Sequence, residues 1–116
     1  MRGVLISPYG DILPRLERLR SRGIRAVLVD RFGGASRFSS VSVDSVAGGR
    51  MAIEHLIETG RRRIAFVGGP MEMRQVTDRI AGARVAIDNA LERVELEVLS
   101  TAAMTVEEGV AVGRRV

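Results

Sequence analysis

The sequence contains no cysteine. That excludes a disulfide framework and a thiolate metal site, and it leaves nothing to argue for an oxidising compartment. Lysine is absent too. Every basic residue other than His55 is an arginine, which reads as a bias of genome composition rather than a functional signal. The aromatic set is Tyr9, Phe32, Phe38 and Phe66, with no aromatic RNA-binding motif among them. No apolar run approaches the roughly 20 residues of a membrane span. Met1 to Ser7 is too short, and too soon interrupted by Pro8, to be a signal peptide. His55 stands alone beside Glu54, without a second histidine at ligand spacing, so it reads as a surface or helix-packing residue.

The chain has 116 residues, by length alone enough for one small domain and too few for two. Its formal net charge is +4. Nucleic-acid binding is the sharp reading of that charge, but the arginines are scattered among carboxylates over the whole chain. The run Arg61-Arg62-Arg63 falls in a helix-to-strand turn and reads as a short solvated cluster. No helix-turn-helix pattern or zinc-finger spacing accompanies it.

Hydrophobic periodicity divides the chain into alternating strands and helices. Gly3 to Ile6 is a short strand ending at Ser7-Pro8. Ile12, Leu13, Leu16 and Leu19 recur at helical spacing, with Asp11 as a suitable N-cap and Gly23 as terminator, which predicts a helix over about 12–22. Ala26 to Val29 is a fully buried strand ending at Asp30-Arg31. Gly33-Gly34 lies in a loop that allows a ligand to approach. Val41 and Val43, alternating with serines, give a short strand. Asp44 or Ser45 caps the next helix, which buries Ala52, Ile53, Leu56 and Ile57 and stops at Gly60. Gly48-Gly49 costs this helix up to ~1 kcal/mol per glycine relative to alanine; close packing of the helix start against a strand or ligand would explain that cost. Ile64 to Val67 is a third buried strand, and Gly68-Gly69-Pro70 is a tight turn that lets a ligand approach. Met71 to Val76 reads as loop. Ile80, Ala83, Ile87, Ala90 and Leu91 form the apolar stripe of a helix over about 77–92. Glu95 to Leu99 is a strand, and Val106, Val110 and Gly113 mark a last helix. This order implies the α/β class, with a mostly parallel sheet and flanking helices.

Several residues could carry chemistry. Asp30 and Arg31 follow a buried strand directly, where open α/β sheets bind ligands. A carboxylate there accepts from neighbouring hydroxyls and a guanidinium donates in a fork, which suits a polyol or sugar. A strand-end salt bridge accounts for the pair equally well. Arg79 stands near the start of its predicted helix, where a cation opposes the helix dipole. That position hints at an anionic or hydroxyl-rich partner, although a pair with Asp78 or Glu72 is the better account from the residues alone. Gly68-Gly69-Pro70 lacks both the dinucleotide glycine pattern and a following Gly-Lys-Ser/Thr, so it is not a phosphate loop. There is no nucleophile-elbow motif. The sequence implies no catalytic residue, no metal site and no cofactor, and nothing compels an enzyme.

The wording nevertheless resembles the sensor domain of LacI/GalR-type transcriptional regulators. Val27-Leu-Val-Asp-Arg31 is similar to the strand leading to that family's Asp-Arg ligand pair. Val41-Ser-Val-Asp44, Gly48-Gly49, Ala52, Glu54-His-Leu-Ile57 and Gly60 resemble its crossover strand and following helix. Arg63-Ile-Ala-Phe-Val-Gly-Gly-Pro70 resembles the strand opening its second subdomain, and Arg79, Gly82 and Ala90 its arginine-glycine helix. Arg61 stands where the family usually has histidine, and Ser45 where it often has asparagine. Neither departure touches the expected ligand residues.

The resemblance implies part of a periplasmic-binding-protein-like fold, with residues 1–43 in a first sensor lobe and 44–116 in a second. Asp30, Arg31 and Arg79 would contact the effector, with Gln75 in the loop before the arginine helix. It further implies a cytoplasmic protein, a homodimer at full length, that takes a sugar or similar polyol. Operator DNA would be bound through a helix-turn-helix absent from these residues, and no membrane would be involved. Alternatives are part of a sugar-binding transport protein, for which the wording from Val41 to Pro70 is less suited, or a small α/β enzyme.

Overall fold

A computed structural model describes residues 2–31 and 37–116. The glycine loop at Gly33-Gly34 lies outside the described residues. Length alone suggested one domain. The chain divides instead into two compact units, Met1–Val43 and Asp44–Val116.

The first unit contains strand β1 (Gly3–Ile6), helix α1 (Leu13–Ser21), strand β2 (Arg25–Val29) and strand β3 (Ser39–Val41). The strands form one parallel sheet in the order β1-β2-β3. Leu28 of β2 and Leu16 of α1 are buried. The predicted full burial of β2 does not hold: Ala26, Val27 and Val29 are only half-buried. Alternation along a strand sends successive side chains to opposite faces, and α1 covers the face that carries Leu28. On the other face Leu5 and Val41 are 78% and 66% exposed. β3 also ends two residues earlier than expected. Its register is set by pairing with β2, Val27 against Ser39 and Val29 against Val41.

Asp11 does not occupy the N-cap of α1. That position is Ile12, without a side-chain bond, while the Asp11 carboxylate accepts from the Leu13 N–H at 3.1 Å. The helix stops as predicted at Gly23, where φ is +73°. The Gly23 N–H donates to the Arg20 carbonyl and the Ile24 N–H to that of Leu19, the paired pattern that closes a helix around a left-handed residue.

The second unit contains helix α2 (Ser45–Glu58), strand β4 (Arg63–Gly68), helix α3 (Arg74–Asp88), strand β5 (Glu95–Ser100) and helix α4 (Val106–Gly113). β4 and β5 pair in parallel as a separate sheet. The parallel pairing expected from the element order therefore holds, in two sheets rather than one. Asp44 caps α2, its carboxylate accepting from the Ala47 N–H at 2.9 Å. Gly60 ends it in the same paired pattern as Gly23.

The core of this unit joins Ile53 of α2, Ile64 of β4, Ala83 and Ala86 of α3, and Val94 before β5. Ala52 was expected in it and is exposed. β4 is buried at Ile64 and open at Ala65 and Val67, so it is a strand with one covered face rather than a fully buried one. α3 spans 74–88 instead of 77–92. Leu91 therefore falls beyond the helix and is fully exposed.

The cost of glycine in α2 has an explanation other than the one expected. A Cβ on Gly49 would lie 2.0 Å from the Arg79 carbonyl oxygen, and one on Gly82 1.9 Å from that of Val46. The partner of Gly49 is thus the backbone of α3, not a strand or a ligand. Helices normally pack with axes about 8–10 Å apart, and two glycines facing backbone permit a closer approach. Gly48 faces open space.

Candidate functional site

The carboxyl ends of parallel strands are where an open α/β sheet leaves a crevice. In the second unit these ends are Gly68-Gly69 after β4 and Thr101 after β5. A concavity of about 230 Å³ opens there, lined among others by Phe66, Val76, Arg79, Thr101, Met104 and Thr105. Ligand pockets run to about 300–1,000 Å³, so this space suits part of a small ligand rather than the whole of one.

Each wall has a local cause. Gly69 brings the two strand ends together: a Cβ there would sit 2.0 Å from the Thr101 carbonyl oxygen. The Gly69–Pro70 peptide is cis. The close approach at Gly69 is made by the backbone of Thr101, just after β5, and both Gly68 and Gly69 line the cavity. The Thr101 N–H donates to the Gly68 carbonyl at 3.1 Å, and Thr101 is buried. Thr105 caps α4, its hydroxyl accepting from the Glu108 N–H at 3.3 Å. The Glu108 carboxylate in turn accepts from the Ala102 N–H at 3.0 Å, which fixes the turn between β5 and α4.

Arg79 enters the cavity lining from α3. The expected partners do not hold it: Asp78 pairs with Arg74 at 3.6 Å. Among the described residues the Arg79 guanidinium has neither an ion pair nor a hydrogen bond. Its place in the helix also differs from the expectation. α3 opens at Arg74, so Arg79 is in the second turn, where the dipole penalty has largely faded. What marks it is the lack of an internal partner, in a lining that contains no carboxylate. Gln75 lies in the first turn of α3 rather than in a loop, and it is not among the cavity's lining residues.

In the first unit Asp30 and Arg31 stand together at the end of β2. Asp30 has φ of 59°, a left-handed conformation that aspartate tolerates better than most residues because its short side chain bonds locally. Its N–H donates to the Val41 carbonyl at 2.9 Å. Arg31 donates through Nη1 to the Gly10 carbonyl at 2.5 Å, bracing the loop that follows β1. A carboxylate and a guanidinium are thus held at the strand ends of this sheet.

The arginine run has one member with a structural task. Arg62 bonds the Glu92 carboxylate at 2.6 Å and the Ile57 carbonyl at 3.0 Å, tying the end of α2 to the turn before β5. That hydrogen bond, and then the charge of the guanidinium, hold the Glu92 carboxyl below its ordinary value of 4.5. Arg61, Arg63 and His55 are exposed. Among the described residues no group of His, Asp and Glu could hold a metal ion, and no helix is long and apolar enough to cross a membrane.

No family model matches the chain. Individual proteins do. The HTH-type transcriptional regulator CelR from Thermobifida fusca is 38% identical over 114 residues, 97% of this chain and 34% of that protein. A LacI-family regulatory protein from Chloroflexus aggregans superposes with a TM-score of 0.75 at 32% identity, over 94% of this chain and 39% of its own. The chain is LacI/GalR-type sensor-domain sequence. The Cra regulator from Pseudomonas putida, solved with fructose 1-phosphate, shares the fold at a TM-score of 0.86 and 19% identity, over 97% of this chain and 42% of its own. The chain spans about a third of CelR and about two-fifths of each of these solved neighbours. The LacI/GalR reading rested on strand-end wording and on the arginine-glycine helix. Gly82 of that helix is the residue that admits α2. Sequence reasoning missed Thr101 and Thr105. The available signal was a hydroxyl directly after a strand, the position that drew attention to Asp30.

Proposed function

We propose that this chain is the effector-sensing part of a LacI/GalR-like transcriptional regulator, and that its effector is a sugar or similar polyol. Residues 1–43 belong to the first sensor lobe and 44–116 to the second. Asp30 and Arg31 are its ligand contacts in the first lobe, Arg79 and Gln75 in the second. Effector binding to the full-length protein changes its affinity for operator DNA, through a helix-turn-helix outside these residues. The full-length protein works in the cytoplasm as a homodimer. A ligand that binds two states unequally shifts the population between them, and that differential affinity is the whole of its leverage.

The observation that carries this reading is Arg79, without an internal partner at the carboxyl end of a parallel strand pair. A guanidinium offers five donors in a planar fork, which suits the vicinal hydroxyls of a sugar, while Phe66, Val76 and Met104 supply apolar surface for a ring face. Relatedness to regulators at the sequence level favours a regulator over a transport protein. Titrating the chain with a panel of mono- and disaccharides, followed by amide NMR shifts, tests it. The expected result is saturable shifts at Arg79, Thr101 and Met104 for at least one sugar, abolished in Arg79→Ala, whose exposed site leaves stability within about 0.5 kcal/mol. Shifts confined to other residues, or unchanged affinity in Arg79→Ala, would overturn the site.

A further inference from the structure

Helix α1 carries a second concentration of unpaired positive charge. Arg15, Arg18 and Leu19 of α1 and its C-cap Arg22 fall at i, i+3, i+4 and i+7, along one side of the helix. Together they line a concavity of about 430 Å³ that contains no carboxylate. Glu17, the acidic residue of α1, pairs with Arg20 at 3.7 Å. Among the described residues the guanidiniums of Arg15, Arg18 and Arg22 have no partner. The helix dipole accounts for basic residues in the last turn of α1, but it disfavours Arg15 in the first. Three exposed guanidiniums thus share one face without a carboxylate partner, and the dipole gives no reason for Arg15.

We propose that this face of α1 docks an acidic amphipathic helix of a protein partner. The arginines span about 10 Å along the helix axis, and carboxylates at i, i+3 and i+7 of a facing helix repeat over the same length. Leu19, half-buried between the arginines, gives the surface an apolar centre. A partner helix can match that centre with an apolar side chain. A nucleic-acid backbone offers only phosphate and sugar there, and its recognition rests on charge. The fit of both charge and apolar surface therefore selects a peptide.

The test uses the whole chain and a fluorescein-labelled helical peptide with glutamates at i, i+3 and i+7 around a leucine at i+4, read by anisotropy. Its glutamine counterpart and a DNA duplex serve as competing probes. The acidic peptide should bind, weaken as salt is raised, and lose about tenfold or more in affinity in the Arg15→Gln/Arg18→Gln/Arg22→Gln variant. The Arg61→Gln/Arg63→Gln variant, which removes exposed charge elsewhere, should bind as the original does. A single Arg15→Glu should also weaken binding, with less perturbation of the surface. Absence of peptide binding, equal losses in the α1 and Arg61/Arg63 variants, or tighter binding of the duplex than of the peptide would each overturn the proposal.

Discussion

In Met1–Val43 a single helix lies on a three-stranded sheet, and its buried apolar side chains among the described residues are Leu16 and Leu28. In Asp44–Val116 two helices pack backbone to backbone through Gly49 and Gly82, over a sheet of two strands, and bury side chains from α2, α3, β4 and the segment before β5 together. The sheet with more strands thus has the smaller core. Strand number does not set the size of a core; it depends on how closely the covering elements approach. The same contrast runs through the candidate site side chains. Arg31 is engaged with the Gly10 carbonyl, whereas Arg79 rises from a tightly packed helix with its guanidinium unpaired. A rigid support with a free head group is the arrangement that preorganises a binding contact.

The sharpest way to break this comparison is to push α2 and α3 apart. Gly82→Ala places a methyl 1.9 Å from the Val46 carbonyl oxygen. It should cost about 3 kcal/mol, the upper range for overpacking, read as a shift in urea midpoint. A neutral result would mean that the helices slide apart freely. Leu28→Ala should cost about 2 kcal/mol, the low end for a buried leucine in a sparse core, with faster amide exchange in β1 and β2. Gly48→Ala sits one residue from Gly49 and should act in the opposite direction. Its Cβ meets nothing within 4 Å, so it should gain about 0.5–1 kcal/mol from helix propensity. Opposite signs for Gly48→Ala and Gly49→Ala would confirm that packing, not propensity, put the second glycine there.

The smallest effect concerns pH. Glu92 has its carboxyl depressed by Arg62. Its folded value lies below its unfolded one, so its contribution to stability is fully present above 4.5 and fades as pH falls through the depressed value. Glu92→Gln should therefore lower the melting temperature slightly at neutral pH. The gap between variant and original should close once the pH drops well below 4.5. A constant gap across that range would remove Arg62 as the cause of the shift.

Helix stops were legible in the sequence because Gly23 and Gly60 are needed where the backbone turns left-handed. The cap at Asp44 was legible because a carboxylate can take an orphan N–H. The start of α3 was not. Its N-cap is Met73, which makes no side-chain bond, so no residue type announces it. Leu91 misled because apolar spacing continues past the point where hydrogen bonding stops. The role of Gly49 was visible as a cost, but not as a contact, because the partner is backbone some thirty residues away and carries no side-chain signature. At the candidate site Arg79 was legible through the family resemblance. Its lack of a partner was not, because Asp78 is its neighbour in sequence, whereas the i, i+4 spacing on α3 brings Asp78 to Arg74. Thr101 was hidden by the sequence distance between β4 and β5, which only parallel pairing brings together.

The proposed role of Arg79 is to contact the effector. Operator binding by the full-length protein, measured with and without the sugar identified by titration, tests it most directly when the Arg79→Ala variant is assayed alongside. The account predicts that the variant binds operator normally and no longer responds to the sugar. A variant that responds at the original concentration would contradict it.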